Sequence, residues 1–138
     1  MSAVEHARAL LKSAYRDFRA LTGMQDSGLF ADEIFGFHAQ QAIEKGLKAW
    51  IAGLEIEYPR THDISLLLTI LQNHAQDMEP FWELVAYNAF AVQLRYEGLD
   101  MDDEQLARDT VIDDVQCLLT RAASEVSARG ERGIRGPG

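Results

Sequence analysis

The first apolar stripe of the chain begins directly after a helix cap. Ser2 and Glu5 have the S-x-x-E spacing in which a serine hydroxyl accepts a hydrogen bond from the third helical amide. Apolar residues then recur at alternating intervals of three and four, which is typical of one face of a helix. They are Val4, Ala7, Leu11, Ala14, Phe18 and Leu21. The pattern predicts a helix from about residue 3 to near Gly23.

A second helical pattern runs from near Leu29 to Leu54. Its predicted buried face contains Phe35, Ala39, Ala42, Ile43, Gly46, Leu47 and Trp50. Gly36 and Gly46 each cost a helix about 1 kcal/mol relative to alanine, so we expect them to let another helix approach closely. A break of the helix at Gly36 is the alternative.

The second half of the chain predicts three more helices. Residues 55–62 contain Pro59 and indicate a loop, after which Thr61 or Asp63 can cap a short leucine-rich helix. Pro80 suits the first turn of the next helix. That helix, residues 81–96, is apolar on every side, which is typical of a central helix. The last helix has one apolar stripe and should end near Arg129. The stripe consists of Val111, Ile112, Val115, Leu118, Leu119, Ala122 and Val126.

The pattern therefore predicts an all-α fold. It is an up-and-down antiparallel bundle of four long helices plus one short helix, because short connections favour antiparallel neighbours. No run of alternating residues long enough for a strand occurs, and there is no internal repeat. We expect one domain over residues 1–129, and a disordered Gly- and Arg-rich tail over residues 130–138.

Composition and charge limit the functional classes. The chain has 138 residues, of which 47% are hydrophobic and 25% charged, which fits a single globular domain. One cysteine, Cys117, excludes an internal disulfide and indicates a reduced thiol. No apolar run could span a membrane and no signal peptide is evident, so a cytoplasmic protein is expected. A net charge of −9 disfavours general DNA or RNA binding.

Candidate chemistry is concentrated on two predicted helices. On the second helix, four polar residues follow one another at intervals of three and four, within an arc of roughly 80°. They are His38, Gln41, Lys45 and Lys48. The alternative is a solvated face with a Glu44–Lys48 pair. Asn88 and Arg95 are seven residues apart on the otherwise apolar fourth helix, where a guanidinium needs a partner. That partner is either a ligand or an acidic residue of the bundle or of a dimer.

These residues together resemble the HEPN family, whose name stands for higher eukaryotes and prokaryotes nucleotide-binding. The resemblance covers residues 37–96. It rests on the Gln41-x-x-Glu44-Lys45-x-x-Lys48 pattern, on Thr61-His62-Asp63 before a leucine-rich helix, and on the Arg95-Tyr96 pair. It implies an all-α bundle that is usually a homodimer and is often encoded beside a minimal nucleotidyltransferase, as a toxin–antitoxin or substrate-presenting pair.

The resemblance also implies a ribonuclease motif that this chain lacks. Active HEPN ribonucleases are metal-independent and use an arginine followed by a histidine after four to six intervening residues. The corresponding positions after Arg95 hold Asp100, Met101 and Asp102. Without an imidazole there, the usual group titrating near neutrality is missing. His38 or His62 can replace the missing histidine only if the fold brings it close to Arg95. No metal-binding spacing occurs among the four histidines, and no cofactor is predicted.

The sequence therefore predicts a nucleotide- or RNA-phosphate-binding module, or a partner module for a nucleotidyltransferase. The predicted ligand-binding residues are His38, Gln41, Lys45, Lys48, Asn88, Arg95 and Tyr96. One alternative is a metal-independent ribonuclease with a displaced base. The other is a purely structural dimer without a ligand.

Overall fold

The computed structural model describes residues 2–90 and 107–134, and these residues are helical with connecting loops. Four α-helices and one 3₁₀ helix are present in this part of the chain. They are α1 (Ala3–Gly23), α2 (Asp32–Gly53), α3 (Ile64–Asn73), the 3₁₀ helix (Glu79–Ala89) and α4 (Arg108–Ile134). None of the described residues forms a strand, so the predicted all-α class is confirmed. No helix in these ranges is long and apolar enough to cross a membrane.

The predicted helix ends are close to those in the structure. Ser2 caps α1, since its hydroxyl accepts from the Glu5 amide at 3.1 Å. Asp63 caps α3 by accepting from the Ser65 amide at 2.9 Å. α2 starts later than predicted because the amides of Leu29 and Phe30 bond to the Asp26 carbonyl in a turn. α4 continues to Ile134, beyond the predicted end near Arg129.

α2 is the central element of the fold. It contacts α1, α3, the 3₁₀ helix and α4. Small residues on several sides allow these neighbours to approach. A Cβ at Gly46 would lie 2.6 Å from Leu119 of α4, and one at Gly36 would overlap the Phe90 ring. The prediction of close approach at both glycines is confirmed. The alternative of a break at Gly36 is wrong, because α2 is continuous over Asp32–Gly53.

The predicted fourth long helix differs from the structure. The described part, Glu79–Ala89, is a 3₁₀ helix. This part is not central, because only Phe81 and Leu84 among its residues are buried. With about three residues per turn, every third side chain lies on one side. One row is buried or half-buried (Phe81, Leu84, Tyr87, Phe90), a second is half-buried (Trp82, Val85, Asn88), and a third is exposed (Glu83, Ala86, Ala89). The remainder of this prediction lies outside the described residues.

Candidate functional site: a polar strip on α2

Two charged clusters lie side by side along α2, and we call them together the polar strip. In the first cluster, Asp17 of α1 bonds to two side chains of α2. Its Oδ1 atom lies 3.0 Å from His38 Nδ1, and its Oδ2 atom accepts from Lys45 Nζ at 2.7 Å. The Asp17 side chain is only 13% exposed. A half-buried carboxylate therefore fixes both the imidazole and the ammonium group.

The second cluster surrounds Glu44, whose side chain is only 4% exposed. Its Oε1 atom lies 2.6 Å from His62 Nδ1 and accepts from Lys48 Nζ at 3.3 Å. Its Oε2 atom accepts from Gln41 Nε2 at 3.4 Å. Burying a carboxylate is costly unless its oxygens are bonded, and three donors around one carboxylate remove that cost. His62 itself is 68% exposed.

Gln40 connects the second cluster to the loop that follows α2. It is fully buried. Its Nε2 atom donates to the His62 carbonyl at 3.3 Å, and its Oε1 atom accepts from Gln41 at 2.8 Å. The bond to the His62 carbonyl holds the end of this loop against α2, where His62 reaches Glu44.

The structure brings four of the predicted ligand residues together: His38, Gln41, Lys45 and Lys48. The predicted Glu44–Lys48 pair is present. The four side chains are half-buried and Glu44 is buried, so this face is less exposed to solvent than the alternative of a solvated face expects. The sequence could not show that Asp17 supplies a carboxylate from another helix.

Asn88 has a structural role at the start of α3. Its Oδ1 atom accepts from the Ile64 amide at 2.7 Å, and its Nδ2 atom donates to Asp63 at 2.8 Å. Hydrogen bonds from the Ser65 side chain and from Asn88 lower the pKa of Asp63. Within the described residues, no hydrogen bond joins Asn88 to the polar strip, so its predicted ligand-binding role stays a prediction. Arg95 and Tyr96 lie outside the described residues.

The polar strip offers donors suited to an oxyanion. An ammonium group carries three N–H donors, and Lys45 and Lys48 each use one on a carboxylate within the described part of the chain. Both imidazoles bond to carboxylates through Nδ1, and within residues 2–90 and 107–134 neither Nε2 atom has a hydrogen-bond partner. Residues 2–90 and 107–134 contain no cluster of three or more histidine, cysteine or acidic side chains that could hold a metal ion.

A sequence model of the HEPN domain matches residues 7–124. This match covers most of the chain, including α2, α3 and most of α1 and α4. The chain belongs to the HEPN family. Its polar strip therefore lies wholly within the matched part of the HEPN domain. Comparisons with curated proteins and with solved structures found no significant match.

Proposed function

We propose that this HEPN domain binds the phosphate of a nucleotide or RNA at its polar strip. The observation that carries the proposal is the pair of half-buried lysines, each held by a carboxylate and each accompanied by an imidazole. Charge-assisted hydrogen bonds from fixed ammonium groups are about twice as strong as neutral ones. Fixed donors also lose less side-chain entropy when a ligand binds.

The local charge supports a small phosphate-bearing ligand over a long polyanion. Asp17 and Glu44 balance the charges of Lys45 and Lys48. In a chain with a net charge of −9, this strip gives little long-range attraction for nucleic acid. Affinity must then come from direct hydrogen bonds, which favours a mononucleotide or a single RNA phosphate.

We further propose that the protein acts as a homodimer, in the cytoplasm, with a minimal nucleotidyltransferase as partner. Membership of the HEPN family supports the pairing, since such proteins are often encoded beside these enzymes. The predicted up-and-down antiparallel arrangement of four long helices is also part of this proposal. Co-purification from the native cell, followed by identification of bound protein and nucleotide, tests the partnership.

Phosphate binding is tested by calorimetric titration with inorganic phosphate and with adenosine monophosphate. We expect Lys45→Ala and Lys48→Ala each to weaken binding about tenfold, because each removes a charge-assisted hydrogen bond of roughly 1.5 kcal/mol. Lys12→Ala, which removes an exposed lysine of α1, is the matched control and should leave affinity unchanged. Equal loss in all three variants would contradict the polar strip as the site.

A metal-independent ribonuclease is the second candidate, and one observation favours it. His38 and His62 are each oriented by a carboxylate through Nδ1, the arrangement that prepares Nε2 to move a proton. If the domain binds phosphate without cleaving RNA, the purified protein should show no RNA cleavage and should not be toxic when expressed alone. Cleavage that persists after repurification and disappears in His38→Ala or His62→Ala would establish the ribonuclease instead.

A folded protein with neither phosphate binding nor cleavage would indicate a structural dimer.

A further inference from the structure

A groove that adjoins the polar strip but is lined by other residues lies where the start of α1 meets the end of α2. Its volume is about 360 Å³. His6 of α1 and Ala52 of α2 form two of its walls, and Glu55, Ile56 and Tyr58 of the following loop form the others together with Glu57. A groove of this size accommodates a small organic group or one long side chain.

His6 and Tyr58 form a flat surface in this groove. The Tyr58 hydroxyl lies 2.8 Å from His6 Nε2, and the two ring planes are inclined by only 9° with centroids 6.2 Å apart. Because the hydrogen bond joins the ends of the rings, the rings lie side by side and their faces extend one another. Burial raises the pKa of Tyr58, so its phenol stays uncharged at neutral pH. This surface can stack against a planar group.

The charge of the groove selects the kind of planar group. Among the lining residues, the carboxylates of Glu55 and Glu57 are the permanent charges, and both side chains are exposed. Lys48 lies 5.6 Å from the Tyr58 ring, but its charge is paired with Glu44. The groove is therefore negative, which repels the phosphate of a nucleotide and attracts a cation.

We propose that this groove binds a guanidinium group, stacked on Tyr58 and His6 and bonded to Glu55 or Glu57. A guanidinium is planar, permanently charged and weakly hydrated, stacks on aromatic faces, and pairs with carboxylates through two parallel N–H bonds. An ammonium group has the charge but neither the planarity nor the paired donors. The guanidinium comes either from an arginine side chain of a partner protein or from a small metabolite.

The test is a titration of the full chain with Nα-acetylarginine amide, followed by amide chemical shifts in nuclear magnetic resonance spectra. Shifts are expected at the amides of His6, Ile56 and Tyr58. Nα-acetyllysine amide should bind at least about threefold more weakly, since it lacks the planar fork. Equal binding of the two probes, shifts confined to other regions, or tighter binding of guanosine monophosphate in the groove would overturn the proposal.

Variants of the groove make the test specific. The double variant Glu55→Gln/Glu57→Gln changes only exposed side chains and should weaken binding roughly fivefold. Tyr58→Leu should also weaken binding. Tyr58→Phe keeps the ring but loses the bond to His6, so it should weaken binding less than Tyr58→Leu does. Glu79→Gln, which removes an exposed carboxylate on the 3₁₀ helix, is the matched control. An unaffected double variant, or an equal loss in the control, would contradict the site.

A comparison of two arginine sources identifies the origin of the guanidinium. Free arginine carries an α-ammonium and an α-carboxylate group beside its side chain, whereas arginine within a Gly-Arg-Gly peptide has uncharged peptide groups in those places. Tighter binding of the peptide supports a partner protein as the source. Tighter binding of free arginine supports a metabolite.

Discussion

Arg108 is the buried charged residue that sequence reasoning missed. Its guanidinium donates to the carbonyls of Met24 and Phe30 at 2.6 Å each and to Asp32 Oδ1 at 2.7 Å, and it lies 4.8 Å from the Phe35 ring. One guanidinium thus joins the start of α4 to the α1–α2 connection. No spacing in the sequence signals it, because the partners lie 76 or more positions away.

Arg108→Met should lower the free energy of unfolding by about 3–5 kcal/mol. The substitution keeps much of the volume but leaves two carbonyls and the Asp32 carboxylate without their donor. Urea denaturation measures the change. Arg19→Met, which removes an exposed arginine of α1, should cost less than about 0.5 kcal/mol. Similar losses in the two variants would mean that the Arg108 hydrogen bonds contribute little to stability.

At the scale of single residues, the sequence predicted which polar residues share the α2 face, but apart from the Glu44–Lys48 pair it did not predict their partners. Positions 38, 41, 45 and 48 follow from helical periodicity alone. Asp17 and His62 join them only because of how α1 and the loop of residues 55–62 pack against α2. Such contacts depend on the register between elements, which one sequence does not encode in its local pattern.

Among the elements, α1 and α3 were predictable because caps and apolar periodicity agreed, and most of α4 was predictable from its apolar periodicity. The segment that begins at Glu79 was not, because the helical period of 3.6 residues was assumed. On that period its apolar residues spread around the whole helix. On the period of three that the 3₁₀ helix has, they separate into rows, and Glu83 falls in the exposed row with two alanines.

The contact between the 3₁₀ helix and α4 brings like charges together. Burial, together with the charges of Glu83 and Asp113, raises the pKa of Asp114. Burial and the charges of Asp114 and Glu83 likewise raise the pKa of Tyr87 to about 12. The ionised Asp114 carboxylate is therefore less favourable in the folded chain than in the unfolded chain.

Asp114→Asn should accordingly raise the melting temperature at pH 7. The folded pKa of Asp114 is raised, so the penalty is complete above that value and disappears as the pH falls through it towards the ordinary value of 3.8. Thermal melts of the two proteins should therefore differ at pH 7 and converge in acid. A constant difference across this range would show that the effect is not one of ionisation.

The helix contacts at the α2 glycines allow a second comparison of variants. Gly36→Ala and Gly46→Ala should each destabilise the protein by about 1–3 kcal/mol, because a methyl group would meet Phe90 or Leu119 in the core. Gly23→Ala is the matched control, since its Cβ would meet nothing within 4 Å. Calorimetric melts should rank the control above both. A stabilising effect of Gly46→Ala would mean that the Leu119 side chain can move away from α2 at little cost.

For the whole molecule, the proposed two-fold dimer must form despite a charge of −9 on each chain. Among the described residues, three large apolar side chains are exposed and are candidates for the interface: Leu29 at 76%, Ile34 at 43% and Leu66 at 39%. Sedimentation should show twice the chain mass of 15.5 kDa, and more dimer at high than at low salt because salt screens the repulsion. A single 15.5 kDa species at tens of micromolar would refute the dimer.

The enclosure of α2 has a consequence for how the native chain opens. Most residues of its central part are buried against α1, α3, α4 and the 3₁₀ helix, so we expect the amides there to reach deuterated solvent only when the whole domain unfolds. The 3₁₀ helix has weaker backbone geometry and one exposed row, and α3 is only ten residues long. Deuterium should therefore enter these two segments through partial openings, long before it enters the interior of α2.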